Sequence, residues 1–378
     1  MPSFLVFGCA NFYGRALIQH LCAERDKSPD KKATWEIRGV DKQLPRLALL
    51  PQGTLELFDT FDFRMGNLRN TDFLEQAFAG RQWDYVFNFA AEYKFGQPRQ
   101  VYEQDVINVS SRISMLASQH GKVLVHLSTA HIFKPNTERH KEEDALDAPN
   151  ALAECHIKAE AEVRKNPCVV ILRPALCYGP GDRQNVVPML IAAQLSRASG
   201  EKMPVLWDRN LRVNTVHVED VARAALATAR WMITSEQGGE EKGKRRVEVF
   251  NLSDPGDTTN AKLAVAVGSL FGVEPSFQNS AVNFIAKRLK TSELTEEVNE
   301  SLLGPWMELL ARHNVANSPL SPYLDQEHPY CRLEHWPLGI DGSKITAMGL
   351  GFQYTYKAVT ADALRPMIEE FRQLGLWP

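Results

Sequence analysis

The residues best placed to do chemistry begin with the turn Gly8-Cys9-Ala10-Asn11-Phe12-Tyr13-Gly14, which follows the apolar run Phe4 to Phe7 and opens a stretch of helical spacing. Free amides and the dipole at a helix start hold anions such as a pyrophosphate. Gly8 permits the tight turn and Gly14 close helix packing. Asn11 stands where a glycine would bring backbone against phosphate, and asparagine tolerates positive φ better than most residues. Asp41 ends the second apolar segment, where a carboxylate accepts hydrogen bonds from an adenosine ribose and repels a 2′-phosphate. That favours NAD, while Lys42 and Arg38 keep NADP open. Farther on, Glu154 and Lys158 lie one helical turn apart, which makes either a surface ion pair or a base beside a cation. His131 and His156 add two imidazoles. Successive helical residues point about 100° apart, so at most one of Cys155 and His156 shares the Glu154 face.

These groups need a scaffold, and the chain supplies strands alternating with helices. Phe4 to Phe7, Trp35 to Val40, Phe63 to Met65, Tyr85 to Ala90 and Val123 to Leu127 read as strands, with helices from Arg15 to Glu24, about Thr71 to Ala79, and Val101 to Gln119. Such alternation implies a parallel sheet with right-handed crossovers. Val169 to Leu172 and Val247 to Leu252 are later strands set among less regular segments, and the Gly-rich charged stretch Ser235 to Arg246 reads as a solvated loop. The 378 residues accommodate one large α/β domain with an attached lobe. With 44% hydrophobic and 24% charged residues the composition is that of a soluble globular protein. Forty-three basic against 46 acidic residues give a net charge of −3, so no global field recruits nucleic acid or an anionic membrane. The six cysteines lack CxxC spacing, which points to reduced thiols and no metal site. Neither a signal peptide nor an apolar run of membrane-spanning length is visible, which makes the cytosol the expected compartment.

Taken in order, further segments carry a family resemblance. Gly66-Asn67-Leu68 resembles a third-strand Gly-Asp-Ile/Leu motif with asparagine for aspartate. Asn88-Phe89-Ala90-Ala91 looks like an HxAA strand end, and Asn108-Val109 like an NVxGT helix. Leu127-Ser128-Thr129-Ala130-His131-Ile132-Phe133 is similar to SSxxVYG, Arg173-Pro174 with Tyr178-Gly179-Pro180-Gly181-Asp182 to RPxxxYGPGD, and Val216 to Ala222 to FIHVDDVA. Together with the first turn, these segments resemble the extended short-chain dehydrogenase/reductases, which include nucleotide-sugar epimerases and dehydratases and 3β-hydroxysteroid dehydrogenase-like enzymes, over roughly residues 4 to 275.

The resemblance implies an α/β Rossmann doubly wound parallel sheet with a smaller C-terminal substrate lobe. Residues 1–180 would form the dinucleotide-binding domain, its sheet completed by parts of 205–255. Residues 181–378 would be mainly the lobe, with a candidate lid at 276–336. It implies NAD contacts at Gly8, Asn11, Phe12, Tyr13, Gly14, Asp41, Asn67, Leu68, Phe89, Ala90, Ala91, Asn108, Lys158 and Arg173. Thr129 falls at the catalytic serine or threonine. The YxxxK pair aligns with Glu154 and Lys158, so a glutamate stands for the tyrosine that exchanges a proton with the substrate oxygen. Its reference pKa of about 4.3 requires burial to raise it. His131 is the alternative proton donor. Leu176, where many sugar-nucleotide enzymes have an asparagine, favours a fairly apolar small-molecule substrate. Trp306, Met307 and Leu310 share a helical face that could close over such a ligand or pack on the lobe. Gly339 to Phe352 resembles the closing SKxxxxLG segment, which returns the chain to the main body. The expected protein is an NAD(P)-dependent oxidoreductase with a small-molecule substrate and no nucleic-acid or membrane partner, a homodimer staying open. A catalytically silent dinucleotide-binding sensor and a non-redox isomerase or lyase are the alternatives.

Overall fold

A computed structural model describes residues 1–27, 35–135, 138–236, 245–277, 291–333 and 335–378. Its strands are β1 (Ser3–Phe7), β2 (Glu36–Asp41), β3 (Asp62–Met65), β4 (Trp83–Asn88), β5 (Gly121–Leu127), β6 (Cys168–Pro174), β7 (Leu176–Tyr178), β8 (Met203–Val205), β9 (Thr215–His217), β10 (Arg246–Leu252) and β11 (Pro275–Phe277). Seven of them make one parallel sheet in the order β10-β6-β5-β4-β1-β2-β3. The remaining four pair as β7-β9 and β8-β11. The chain order reverses beside β1, and in doubly wound sheets of this kind ligands bind in the crevice beyond the strand ends at that switch point.

The helices are α1 (Phe12–Lys27), α2 (Gln52–Phe58), α3 (Thr71–Phe78), α4 (Arg99–Tyr102), α5 (Val109–His120), α6 (Ala151–Val163), α7 (Val187–Ser199), α8 (Val218–Glu236), α9 (Asn260–Phe271), α10 (Thr291–Arg312), α11 (Lys344–Ala347) and α12 (Ala361–Gln373). The helix expected from Val101 to Gln119 is instead α4, a π-helical turn over Glu103–Asn108, and α5. Leu17, Ile18 and Leu21 of α1 meet Val221 and Ala225 of α8 on one sheet face. Leu74 of α3, Ile113 of α5 and Val163 of α6 cover the other with Leu5 and Phe7. Burying a strand on both faces explains why these strands read as apolar runs rather than alternations.

A separate cluster joins Leu190, Leu263, Trp306 and Leu364 from α7, α9, α10 and α12. Trp306 is fully buried, lies 5.2 Å from Trp377 with the two rings tilted at 53°, and donates its indole N–H to the Leu320 carbonyl. Leu310 is buried in the same cluster whereas Met307 is exposed, so Trp306 and Leu310 pack on the lobe and Met307 does not. The sequence also predicts a helix over Ala281 to Leu289, which lies outside the described residues, as does most of the charged stretch Ser235 to Arg246. Near the end, Lys344 donates to the Val249 carbonyl at 2.7 Å and Tyr354 closes on Gly342 and Ser253, tying this segment to β10. No described helix is long and apolar enough to cross a membrane.

Candidate active site

Register places the site. Phe7 pairs with Val40 on one side and Asn88 on the other, and Asn88 pairs with His126, so β1, β2, β4 and β5 end level. The residues that follow them, from Gly8, Asp41, Phe89 and Ser128 onward, therefore emerge along one edge. Gly8 has φ +76°, and a Cβ there would stand 2.7 Å from the Phe89 carbonyl, so only glycine lets β4 come this near. A Cβ on Gly14 would collide with the Gly8 carbonyl. Asn11 needs no left-handed conformation. Its side chain does the work instead: Oδ1 accepts from the amides of Tyr13 (3.0 Å) and Gly14 (2.9 Å), and Nδ2 donates to the Phe89 carbonyl at 2.7 Å. The carboxamide thus caps α1 and ties the turn to β4. Asp41 accepts from the Ala10 amide at 2.9 Å and the Gln43 amide at 3.0 Å, and burial raises its pKa.

A cavity of about 850 Å³ opens along this edge. Gly8, Asn11, Phe12, Tyr13, Asp41, Asn67, Leu68, Ala90 and Ala91 line it toward one end. Thr129, His131, Leu152 and His156 line it farther on, with Cys177, Asp182, Arg183 and His328 facing them from the lobe side. Other residues singled out in the sequence lie outside it. Gly14 and Phe89 support the turn from beneath, and Asn108 is exposed at the start of α5. Arg173 is buried in a double hydrogen bond with Glu160, at 2.6 and 2.8 Å, and donates to the Glu142 carbonyl.

Glu154 and Lys158 are also elsewhere. Arg99 grips the Glu154 carboxylate at 2.7 and 2.9 Å, and Lys158 adds a contact at 2.7 Å. The Arg99 and Lys158 bonds hold the carboxyl down at about 2, and both members of the pair are solvent-exposed. Helix geometry accounts for the difference. Asn150 caps α6 by accepting from the Ala153 amide at 2.8 Å, and the buried residues that follow are Leu152, Ala153, Cys155, His156, Ala159, Glu160 and Val163. Two residues turn a helix by about 200°, so Glu154 and Lys158 face away from Leu152 and His156.

The imidazoles are neutral. Burial, then the neighbouring His328 and His156, lowers His131 to about 3. Burial likewise brings His156 to about 3 and His328 to about 4. His156 stacks on Tyr93 at 6.2 Å, and its Nδ1 is buried with no partner among the described residues. Asp182 is pushed up to about 6 by burial, although the amides of Gln184, Asn185 and Val186 point at its oxygens. No sequence motif marks His328 or Tyr93, whereas the apolar spacing of Leu152, Cys155, Ala159 and Val163 is the signal that places His156 on the buried face.

Residues 4–240 match the NAD dependent epimerase/dehydratase family. The chain belongs to that family. Sterol-4-alpha-carboxylate 3-dehydrogenase, decarboxylating, of Saccharomyces cerevisiae is 25% identical over 246 residues, 62% of this chain and 66% of that protein. UDP-glucose 4-epimerase of Pisum sativum is 24% identical over 213 residues, 48% of this chain and 60% of that protein. The matches therefore span about two thirds or less of these relatives' own length. Among solved structures, UDP-glucuronic acid 4-epimerase from Bacillus cereus in complex with UDP-glucuronic acid and NAD superposes with a TM-score of 0.64 at 16% identity, covering 98% of this chain and 99% of that one. Thermus thermophilus UDP-glucose 4-epimerase in complex with NAD gives 0.60 at 17% identity, covering 97% and 98%. These likenesses show the fold. Within this epimerase/dehydratase scaffold, the i,i+4 positions of α6 that line the cavity hold Leu152 and His156.

Proposed function

We propose that the protein binds NAD in this cavity and oxidises a hydroxyl of a small molecule with an apolar body, using Thr129 at the family's serine or threonine position and His156 where the family has its lysine, with Leu152 at the tyrosine's place. One observation carries the reading: Thr129, His131 and His156 share a single cavity with the Gly8 to Tyr13 turn and Asp41. The residues fit the dinucleotide, with the glycine-tight turn for its pyrophosphate, Asp41 for the adenosine ribose, and Asn67 and Leu68 beside the adenine. Asp41 favours NAD over NADP. Bound NAD supplies the hydride acceptor.

On the protein side, the Thr129 hydroxyl orients the substrate oxygen. His156, neutral throughout the physiological range, takes the hydroxyl proton as the C–H hydride leaves and the carbonyl forms. Leu152 has nothing to donate and serves to exclude water. The burial that keeps His156 neutral also makes its protonated form costly, so turnover should be slow. A dehydrogenase and an epimerase among the relatives accord with chemistry at a carbinol carbon.

The second reading, a silent dinucleotide-binding sensor, draws its support from Leu152 at the tyrosine's place. One experiment separates them: NADH fluorescence is followed on mixing the protein with NAD and a panel of apolar alcohols, alongside the His156→Gln and Glu154→Gln proteins. The enzyme reading expects turnover that His156→Gln reduces about a hundredfold and Glu154→Gln leaves intact, on the scale of general acid–base contributions. NAD binding without turnover on any alcohol would leave the sensor.

A further inference from the structure

We infer that the cavity carries a separate oxyanion subsite, built from Arg15 on α1 and Arg183 in the loop after β7, for a phosphate or carboxylate group. Arg15 is 2% exposed, yet it lines the cavity. Its Nη2 donates to both Glu370 oxygens, at 2.6 and 2.8 Å. Nε and Nη1 are buried and have no acceptor among the described residues. A guanidinium offers five N–H donors, accepts nothing and keeps its charge, so buried donors left over call for an anion's lone pairs.

The loop around it is shaped for this approach. Gly181 has φ +91°, and a Cβ there would collide with the Arg15 guanidinium, so the backbone lies directly on that group. Two residues later the loop delivers Arg183, also lining the cavity, whose Nη2 donates to the carbonyls of Ala48 (2.6 Å) and Leu49 (3.3 Å). Arg183 makes no salt bridge among the described residues, and burial together with the nearby charge of Arg15 lowers its pKa. Asp182, between Gly181 and Arg183, is turned to its own loop, where three amides occupy its oxygens. Arg15 thus has Glu370 alone and Arg183 has only carbonyl oxygens, and a bound oxyanion would complete the charge balance. The inference rests on the proposed function only in giving the rest of the cavity to NAD.

Inorganic pyrophosphate is the probe, titrated by calorimetry at low salt into the full chain, alone and saturated with NAD. Saturable binding is expected, weakened at least tenfold by Arg183→Gln, whose partly exposed side chain makes it a mild change to folding. Arg15→Met with Glu370→Met, which removes the buried pair together, should weaken it as well. If NAD abolishes pyrophosphate binding, the site is the dinucleotide's own pyrophosphate site and the separate subsite is overturned. If binding persists in the NAD complex, it serves an anionic group on the substrate. No saturable binding in either state, or equal affinity in the parent and both variants, overturns the subsite. Pyrophosphate binding in a protein that ignores NAD would overturn the dinucleotide reading instead.

Discussion

Asn11→Gly probes how the first turn would hold a dinucleotide. In the parent, the Asn11 carboxamide occupies the Tyr13 and Gly14 amides, two donors at the start of α1, and also bonds the Phe89 carbonyl. Replacing a capping asparagine by glycine costs a few tenths of a kcal/mol, and losing the bond to β4 adds about 1 kcal/mol, so stability should fall by about 1 kcal/mol. Binding should move the other way. The freed amides can donate to a charged pyrophosphate, where such bonds contribute about 1.5–3 kcal/mol, more than a neutral acceptor receives. Part of that gain goes to ordering a looser turn, and a tightening of about tenfold, roughly 1.4 kcal/mol, is expected. Calorimetric NAD titrations and urea melts of the parent and Asn11→Gly proteins measure both effects. Unchanged or weaker NAD binding in a folded Asn11→Gly protein would refute the reasoning, because the amides would then not be what the pyrophosphate meets.

Glu154→Gln should leave turnover and NAD affinity unchanged, since the carboxylate is exposed and held by Arg99 and Lys158 away from the cavity; steady-state kinetics on the first substrate found will decide. Glu160→Gln should destabilise by about 3–5 kcal/mol because it leaves Arg173 charged and buried, while Glu160→Met with Arg173→Met should cost much less, as denaturant melts would show. The protein should lose stability on acidification: His156 binds a proton near pH 6.5 when unfolded but only near 3 when folded, so the unfolded state gains protons first as pH falls from 6.5 toward 3. Between pH 7 and 5 that is about 2 kcal/mol for this one group, and His156→Gln should flatten the pH profile of urea melts by a similar amount.

The first βα unit was legible because an apolar strand, a glycine turn and a helical stripe follow within twenty or so residues, and each has its own local signature. The parallel sheet followed from alternation alone. The register of α6 was harder. Lys158 drew the YxxxK alignment to itself, whereas the direction of the helix is set by the apolar side chains at 152, 155, 159 and 163, which seat it on the sheet and on its neighbours. Likewise the length of Val101 to Gln119 suggested one helix, and nothing in its composition marks the π-helical turn at Glu103–Asn108 that brings Asp105 to the cavity. Its place in the turn presents Asn11 as a backbone substitute for glycine, but the role it fills belongs to its side chain. The lobe's contribution could not be read at all: Pro319, Tyr323 and His328 reach the cavity through tertiary packing around Trp306, a long-range arrangement with no local pattern.

The claim that NAD lies in this cavity with His156 at its reacting end is tested most directly by titrating NAD into protein labelled with 13C at histidine Cε1. At pH 7 the resonances of His131 and His156 should report neutral imidazoles and shift with the dissociation constant found by calorimetry, while that of His217, which stacks on Tyr356 and does not line the cavity, stays in place. Absence of NAD binding at millimolar concentration, or binding that leaves the His131 and His156 resonances unmoved, would contradict the account.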